Sequence, residues 1–338
     1  MSMLRDRMST IQYTEKERNT RVRKNQFATG KGGMAGYAKK SQPAKRMNDY
    51  LDLNDDALVR YPNPSIGGVV PTLMNPFFPK MLSGIAETAR IQGYYTEVFN
   101  AAQDGGDWTN LAARFAQGRQ QGLILAAPKV TEKIVRLLAE TEPMPYVLTD
   151  QADDVPGALR VAVDDTTGGG LVVDHLVGLG HQRFAIVCPP QLPFNMAARY
   201  RGYLDALGRH GIPRNAVTYV SAPLTREAGQ AAAARIVKLP GITAIITIND
   251  DLAIGVLKGL HELGKRILHD YSVVGYDNTD LSNYVTPELT TVNQPVMDLG
   301  HAVADCLLAK IERREPAVPA TLPVELVVRA SSGRAKLA

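Results

Sequence analysis

Apolar and polar residues follow two repeating patterns along most of the chain. A short apolar run at residues 66–70 is followed by residues 80–92, where Leu82, Ile85 and Ala89 recur at helical spacing. The first pattern predicts a buried strand and the second an amphipathic helix. Further apolar runs, each with a segment of helical length after it, lie at residues 95–99, 122–125, 146–148, 184–187, 218–220, 244–248 and 272–274.

Alternation of strands and helices is typical of parallel sheets that helices cover on both faces. This many units exceed what a single sheet holds comfortably. The sequence therefore predicts an α/β protein with two doubly wound, parallel-sheet lobes. Ligands of such sheets bind beyond the carboxyl ends of the strands, so the residues that follow each apolar run are the candidate site.

Polar and aromatic side chains follow five of the predicted strands. Two are adjacent aromatic rings, Phe77 and Phe78, and one is a guanidinium, Arg199. Aromatic rings pack against the C–H face of a sugar ring, whereas carboxylates, carboxamides and guanidinium groups hydrogen-bond to its hydroxyls. The set therefore favours a polyol site. Its other members are Asn75, Asp150, Asn195, Asn249, Asp250, Asp251, Asp277 and Asn278.

Several of these residues have a structural alternative. We expect one of Asp250 and Asp251 to cap the helix that follows, and Asp165 to be a helix cap rather than a ligand. Taken alone, Phe77 and Phe78 are typical core residues. Asp277 is the stronger ligand candidate, because a carboxylate directly after a buried strand needs a partner or solvent. Replacing Asp277 or Arg199 by Ala is expected to abolish sugar-induced stabilisation with little loss of fold.

The motifs of common enzyme classes are missing from the sequence. It has no Gly-x-Ser-x-Gly elbow and no His-Glu-x-x-His, and Val173 stands where a dinucleotide fingerprint starting at Gly168 would have its last glycine. The six histidines do not fall at metal-ligand spacing. We therefore predict binding without catalysis, with neither a metal nor a cofactor.

Composition places few further limits on the protein. A chain of 338 residues with 45% hydrophobic residues can bury a large core. No run approaches about 18 apolar residues, and no apolar block follows the first basic residues, so we expect no membrane span, no signal peptide and a cytoplasmic protein. Cys188 and Cys306 lie far apart, which fits a reducing compartment.

Charge divides the chain into two parts. Residues 1–48 hold twelve Lys or Arg and three acidic residues, about +9, whereas the remainder holds 26 basic and 31 acidic residues, about −5. Up to about residue 64 there is no sustained apolar periodicity, which predicts disorder. The basic residues either bind DNA phosphates or are simply solvated. The candidates for DNA contact are Arg21, Arg23, Lys24, Lys39, Lys40, Lys45 and Arg46.

Five longer segments, in order along the chain, resemble one known family. They are VVPTLMNPFFPKMLSGIAETARIQGY, VDHLVGLGHQRFAIV, ARYRGYLDALGRHGI, INDDLAIGVLKGLHELGKRI and SVVGYDNTDLSNYVTPELTTVNQPVMDLG. From about residue 65 to 334 the chain resembles the effector-binding domain of the lactose-repressor (LacI/GalR) family of bacterial transcription regulators. This resemblance implies a periplasmic-binding-protein-like fold with three crossovers, a small-molecule effector between the lobes, operator DNA as a partner, and a homodimer.

The resemblance also implies lobe limits and effector contacts. Lobe one is expected at about residues 65–162 and 294–321, and lobe two at about 163–293 and 322–334. Leu224 occupies an effector-facing position where relatives often carry an aromatic ring. The implied effector contacts are Asn75, Phe77, Phe78, Asp150, Arg199, Asn249 and Asp277.

The amino-terminal segment departs from the family pattern. Members begin with a helix-turn-helix headpiece that contains an Ala-Gly-Val-Ser turn and is followed by a hinge helix. Here the start at Thr10-Ile11 fits, but neither motif follows. We expect residues 1–64 to be disordered or a degenerate DNA-binding segment. Its length is close to that of a headpiece, which suggests the hypothesis that compensating frameshifts or a sequence error rewrote one.

The leading hypothesis is therefore a LacI-type regulator that binds a sugar-like effector and controls the DNA binding of a dimer. Two alternatives remain. One is a sugar-binding protein that has lost specific DNA binding, and the other is a solute-binding protein for transport.

Overall fold

The computed structural model describes residues 64–101, 120–126, 144–150, 155–156, 158–316 and 321–335. The strands are β1 (Ser65–Val70), β2 (Tyr95–Asn100), β3 (Gln120–Leu125), β4 (Tyr146–Thr149), β5 (Arg160–Val163), β6 (Phe184–Cys188), β7 (Val217–Ser221), β8 (Ala244–Thr247), β9 (Ser272–Asp277), β10 (Thr290–Asn293), β11 (Thr321–Leu322) and β12 (Glu325–Val327). The α-helices are α1 (Phe77–Ile91), α2 (Asp165–Gly178), α3 (Phe194–Arg209), α4 (Arg226–Ile236), α5 (Asp250–Glu262) and α6 (Val296–Glu312).

The strands form two six-stranded sheets with an equivalent strand order. Sheet one has the order β11-β5-β4-β3-β1-β2, and sheet two has the order β12-β10-β9-β8-β6-β7. Paired strands run parallel except β12, which is antiparallel to β10. The prediction of two doubly wound, parallel-sheet lobes is confirmed.

The chain passes between the sheets three times. It leaves sheet one after β5 and enters α2, which packs in the lobe of sheet two. It returns after β10 through α6, which packs against β3, β4 and β5. The third passage is the two-residue link between β11 in sheet one and β12 in sheet two. These are the three crossovers of a periplasmic-binding-protein-like fold.

Each lobe has its own apolar core. In lobe one, residues of β1, β3, β4 and β5 pack against α1 and α6. In lobe two, residues of β6, β8 and β9 pack against α2, α3, α4 and α5. Every residue of β6 and of β8 is buried, as expected of central parallel strands that are covered on both faces.

Glycines allow two helices of lobe two to approach closely. A Cβ on Gly202 of α3 would collide with the carbonyl oxygen of Thr166 in α2. This contact brings α3 against α2, and α3 carries both Asn195 and Arg199 at its amino-terminal end.

The described residues also bear on the predicted absence of a membrane span and on the predicted DNA contacts. Within the described part of the chain, no helix is both long and apolar enough to cross a membrane. The residues predicted to contact DNA, Arg21, Arg23, Lys24, Lys39, Lys40, Lys45 and Arg46, lie outside the described residues.

Candidate effector-binding site

Side chains from both lobes meet where the strands end. Asp150 follows β4 in lobe one, and Asn195 lies in the first turn of α3 in lobe two. Asn195 Nδ2 donates a hydrogen bond to Asp150 Oδ1 at 2.9 Å, and both residues are buried. This hydrogen bond joins the lobes at the centre of the predicted site.

Arg199 is a buried cation of the same cluster and pairs with two carboxylates. Its Nε and one terminal nitrogen donate to Asp165 Oδ1 at 3.0 and 2.9 Å, and the other terminal nitrogen donates to the Ile248 carbonyl and lies 3.8 Å from Asp277 Oδ1. The guanidinium also stacks 3.4 Å from the ring centroid of Tyr276. Burial alone would lower the pKa of Arg199, but Asp165 and Asp277 raise it overall, so the guanidinium stays charged.

Asp277 ends β9 and faces Arg199. Its Oδ1 accepts a hydrogen bond of 2.7 Å from Gln294 Nε2. Burial raises the pKa of Asp277 well above its usual range, Arg199 opposes this effect, and the nearby carboxylates of Asp250 and Asp150 add to it. Asp277 is therefore a carboxyl group that gains from any further hydrogen-bond donor.

The cluster contains more hydrogen-bond acceptors than donors. Four carboxylates are buried in it, whereas Arg199 is the only buried Lys or Arg among the residues that the structure describes. Asn195 Oδ1 and Gln294 Oε1 are buried and have no hydrogen-bond partner among these residues. Buried acceptors without a donor are costly, so the cluster favours a ligand that brings donors such as hydroxyl groups. The four carboxylates are those of Asp150, Asp165, Asp250 and Asp277.

Two cavities lie between the lobes in the described part of the chain. One of about 520 Å³ lies between the start of α1 and the loop after β9, and Phe77, Lys80 and Asp277 line it. Its volume falls within the range of small-molecule sites. The other, of about 130 Å³, is lined by Asp150 and Asn195, among others. Residues predicted from the sequence thus line both cavities.

The two aromatic residues are placed differently. The rings of Phe77 and Phe78 make an edge-to-face contact, with centroids 5.2 Å apart. Phe77 lines the larger cavity, whereas Phe78 packs in the lobe-one core and lines neither of the two cavities. Leu224 packs against the core of lobe two and also lines neither.

Two predicted carboxamide ligands use their oxygens to start helices. Asn75 Oδ1 accepts a hydrogen bond from the Phe77 amide at 2.9 Å. Asn249 Oδ1 accepts one from the Leu252 amide at 3.1 Å and caps α5. Both carboxamide oxygens are thus engaged at the amino terminus of a helix.

Both expectations about acidic helix caps are wrong. Asn249, and neither Asp250 nor Asp251, caps α5. Asp164 caps α2 through a 2.9 Å hydrogen bond from the Thr167 amide, whereas Asp165 accepts hydrogen bonds from Arg199. In both helices, contacts with distant residues rather than local cap preference decide which side chain is the cap.

Known proteins resemble this chain over the same region. A family model for periplasmic binding protein-like domains matches residues 173–332. Catabolite control protein A of Priestia megaterium is 30% identical over 253 residues, which cover 74% of this chain and 76% of that protein. The chain belongs to the LacI/GalR family.

Other relatives agree with this assignment. A LacI family transcriptional regulator from Enterococcus faecium, solved with bound ribose, is 32% identical, with a TM-score of 0.74 over 80% of this chain and all of that one. The HTH-type transcriptional repressor PurR of Haemophilus influenzae (strain PittEE) is 28% identical over 276 residues, or 79% of this chain and 81% of that protein. The chain is thus a LacI-type regulator, and its relatives are transcription regulators rather than enzymes.

The sequence does not predict the role that three members of the cluster have in this LacI/GalR-family chain. Gln294 follows β10, a strand that the apolar pattern does not predict. The sequence therefore does not indicate that Gln294 lies at the end of a strand. Asp165 and Asp250 look like helix caps in the sequence. Their partners lie 34 and 29 or more residues away along the chain, and no local pattern indicates them.

Proposed function

We propose that this regulator binds a neutral sugar of about pentose size between its two lobes, without catalysis. The acceptor-rich cluster of buried carboxylates and unpartnered carboxamide oxygens carries this proposal. A sugar brings several hydroxyl donors to those acceptors and an apolar face to Phe77, which lines the larger cavity. The bound ribose of the Enterococcus faecium regulator supports the same ligand class.

Charge argues against anionic effectors. A phosphate or carboxylate group on the ligand would lie near the buried Asp150 and Asp277, where the low dielectric strengthens repulsion. Arg199 offers little compensation because Asp165 and the Ile248 carbonyl already occupy its donors, and the Lys80 ammonium in the lining of the larger cavity lies 4.0 Å from the Asp280 carboxylate. A neutral sugar avoids this repulsion.

Regulation requires the effector to prefer one arrangement of the lobes. Contacts that cross between the lobes include the Asp150–Asn195 hydrogen bond and the stacking of Arg160 4.1 Å from the ring centroid of Phe194. A sugar held by both lobes would stabilise the arrangement in which these contacts form. The effector changes the affinity for DNA only if it binds the two arrangements with different affinity.

Calorimetric titration of the full chain tests the effector class. The ligands are ribose, other neutral sugars, ribose 5-phosphate, sugar acids and purines. We expect a neutral sugar to bind and ribose 5-phosphate to bind at least about a hundredfold more weakly, as repulsion of about 2.7 kcal/mol implies. Tighter binding of the phosphate or of a sugar acid would refute the proposed charge selectivity.

Operator DNA and a homodimer are the proposed partners, supported by the family and by the basic segment. The alternative is a sugar-binding protein that has lost specific DNA binding, which the missing Ala-Gly-Val-Ser turn favours. Gel-shift titrations against salt, on random and palindromic DNA, separate the two. Basic residues acting alone give weak, sequence-independent binding that salt abolishes, whereas a tight complex with a palindrome requires a working headpiece.

A further inference from the structure

The turn after β9 holds Asp277 in a backbone conformation that needs outside support. Asp277 and Asn278 have φ angles of 118° and 51°. Both lie in the left-handed region, which residues with a side chain rarely adopt. Such a conformation persists only where surrounding contacts hold it in place.

The buried carboxylate of Asp250 supplies such contacts. Its Oδ2 accepts hydrogen bonds from the Thr279 amide at 2.8 Å and from the Thr279 hydroxyl at 3.2 Å, and its Oδ1 accepts one from the Thr291 hydroxyl at 2.6 Å. The Thr291 oxygen in turn accepts a hydrogen bond of 3.3 Å from the Asn278 amide. The Asp250 carboxylate therefore holds both residues that follow Asp277 in place: Thr279 directly, and Asn278 through Thr291.

Asp250 has little room to move. It is fully buried, and a Cβ on Gly275 of β9 would collide with its Oδ1. Its neighbour Asn249 is fixed as the cap of α5. The carboxylate thus links the start of α5, the turn after β9 and strand β10 as one rigid junction.

We propose that Asp250 is a positioning residue of the effector site. Its carboxylate fixes the turn that holds Asp277 against Arg199 and Gln294, and it acts on the effector only through Asp277. The inference rests on the proposed function to the extent that sugar affinity is its readout.

Ribose titrations of single and double variants test whether Asp250 acts through Asp277. We expect Asp250→Asn and Asp277→Asn each to weaken binding at least about tenfold, and the double variant to bind no more weakly than Asp277→Asn alone. Asp251→Asn is the matched control: Asp251 is a candidate in the sequence and lies in the same helical turn, but in the structure it pairs with Arg226 at 2.7 Å and lines neither cavity. Additive losses in the double variant, or wild-type affinity in Asp250→Asn, would overturn the proposal.

Hydrogen exchange of the ligand-free protein gives a readout that does not depend on the effector. We expect Asp250→Asn to speed exchange of the Asn278 and Thr279 amides about tenfold or more, and Asp251→Asn to leave it unchanged. Unchanged exchange in Asp250→Asn overturns the positioning role. Failure of the wild type to bind any sugar would instead overturn the proposed function.

A second variant covers the case in which Asp250→Asn does not fold. Thr291→Val keeps the shape of the side chain but removes the hydroxyl that links Asp250 to Asn278. We expect faster exchange of the Asn278 amide in this variant. Exchange at the wild-type rate would show that Asp250 does not hold the turn through β10.

Discussion

Arg199 has a structural role that the sequence did not indicate. The sequence places it at the start of a helix near a strand end, which is typical of a ligand contact. In the structure its side chain is only 1% exposed and is paired with Asp165 and Asp277. Removing it leaves two buried carboxylates without their cation, so the expectation that the fold would tolerate Arg199→Ala has to be changed.

We expect Arg199→Met to lower the free energy of unfolding by about 3–5 kcal/mol, because breaking a buried ion pair leaves a buried charge uncompensated. Arg209→Met is the control on the same helix, since Arg209 is 59% exposed and its pair with Asp174 spans 3.5 Å. A surface pair of this kind contributes about 0–1 kcal/mol. Urea denaturation measures the free energy of unfolding of both variants. A loss in Arg199→Met as small as that in Arg209→Met would contradict the structural role of Arg199.

The buried imidazole of His181 makes the free energy of unfolding depend on pH. Its Nε2 donates to the Gly333 carbonyl at 3.0 Å, and its Nδ1 lies 2.9 Å from the Thr243 hydroxyl. Burial lowers the pKa of His181 below its ordinary value of 6.5, and the Gly333 contact opposes this only in part. The unfolded chain therefore takes up a proton more readily than the folded one, and stability falls as pH drops below about 6.5.

We expect His181→Gln to remove this dependence. Between pH 7.5 and 5.5 the free energy of unfolding should fall more steeply in the wild type than in the variant, by at most about 1.4 kcal/mol per pH unit. The difference between the two proteins is the readout, because burial raises the pKa of Asp250 to about 6 and its titration acts in the opposite sense. Parallel curves from urea denaturation would show that His181 does not titrate with folding.

The packing of α2 against α3 depends on Gly202. Its missing Cβ gives room for the Thr166 carbonyl, so we expect Gly202→Ala to destabilise the protein by about 1–3 kcal/mol through overpacking. Gly208 lies on the same helix with open space around it, and Gly208→Ala should stabilise by about 0.5–1 kcal/mol. Opposite signs in denaturation experiments are the expected outcome, and a gain in both variants would show that the helices can separate freely.

The strands that the sequence predicts most directly are those made almost wholly of apolar residues. β6 and β8 are of this kind, with Thr247 as their only polar residue, and their positions follow from the hydrophobic pattern. The first three residues of β10 are also buried, but Thr290 and Thr291 interrupt its apolar pattern with hydroxyls that hydrogen-bond to other segments. β11 and β12, at two and three residues, are too short to show any period.

Helix starts were predictable in position but not in detail. Asn249, Asp250 and Asp251 can all cap a helix, and local preference does not choose between them. The choice depends on Thr279 and Thr291, which take the Asp250 carboxylate and leave Asn249 at the cap. The chemistry of the site could be read from strand ends, whereas the pairings within it follow from contacts between distant segments.

The candidate sugar-binding residues and the candidate DNA-binding residues lie in different parts of the chain. Residues 61–338 form one unit by their contacts, and every residue of the candidate effector site lies within them. The twelve Lys and Arg of residues 1–48 all lie outside that unit. Sugar binding and phosphate binding should therefore be separable by truncation.

A chain that begins at residue 61 should keep the ribose affinity of the full-length protein within about twofold, because the described lobe contacts at the cleft join residues that all lie within 61–338. The same truncation should abolish retention on immobilised random DNA at low salt, since the body that remains is mildly acidic. Calorimetry and salt-gradient elution measure the two effects, and the full-length chain is the control in each. A tenfold loss of sugar affinity would show that the basic segment contributes to the closed arrangement of the lobes. Retention on DNA would place a second phosphate-binding surface on the effector domain itself.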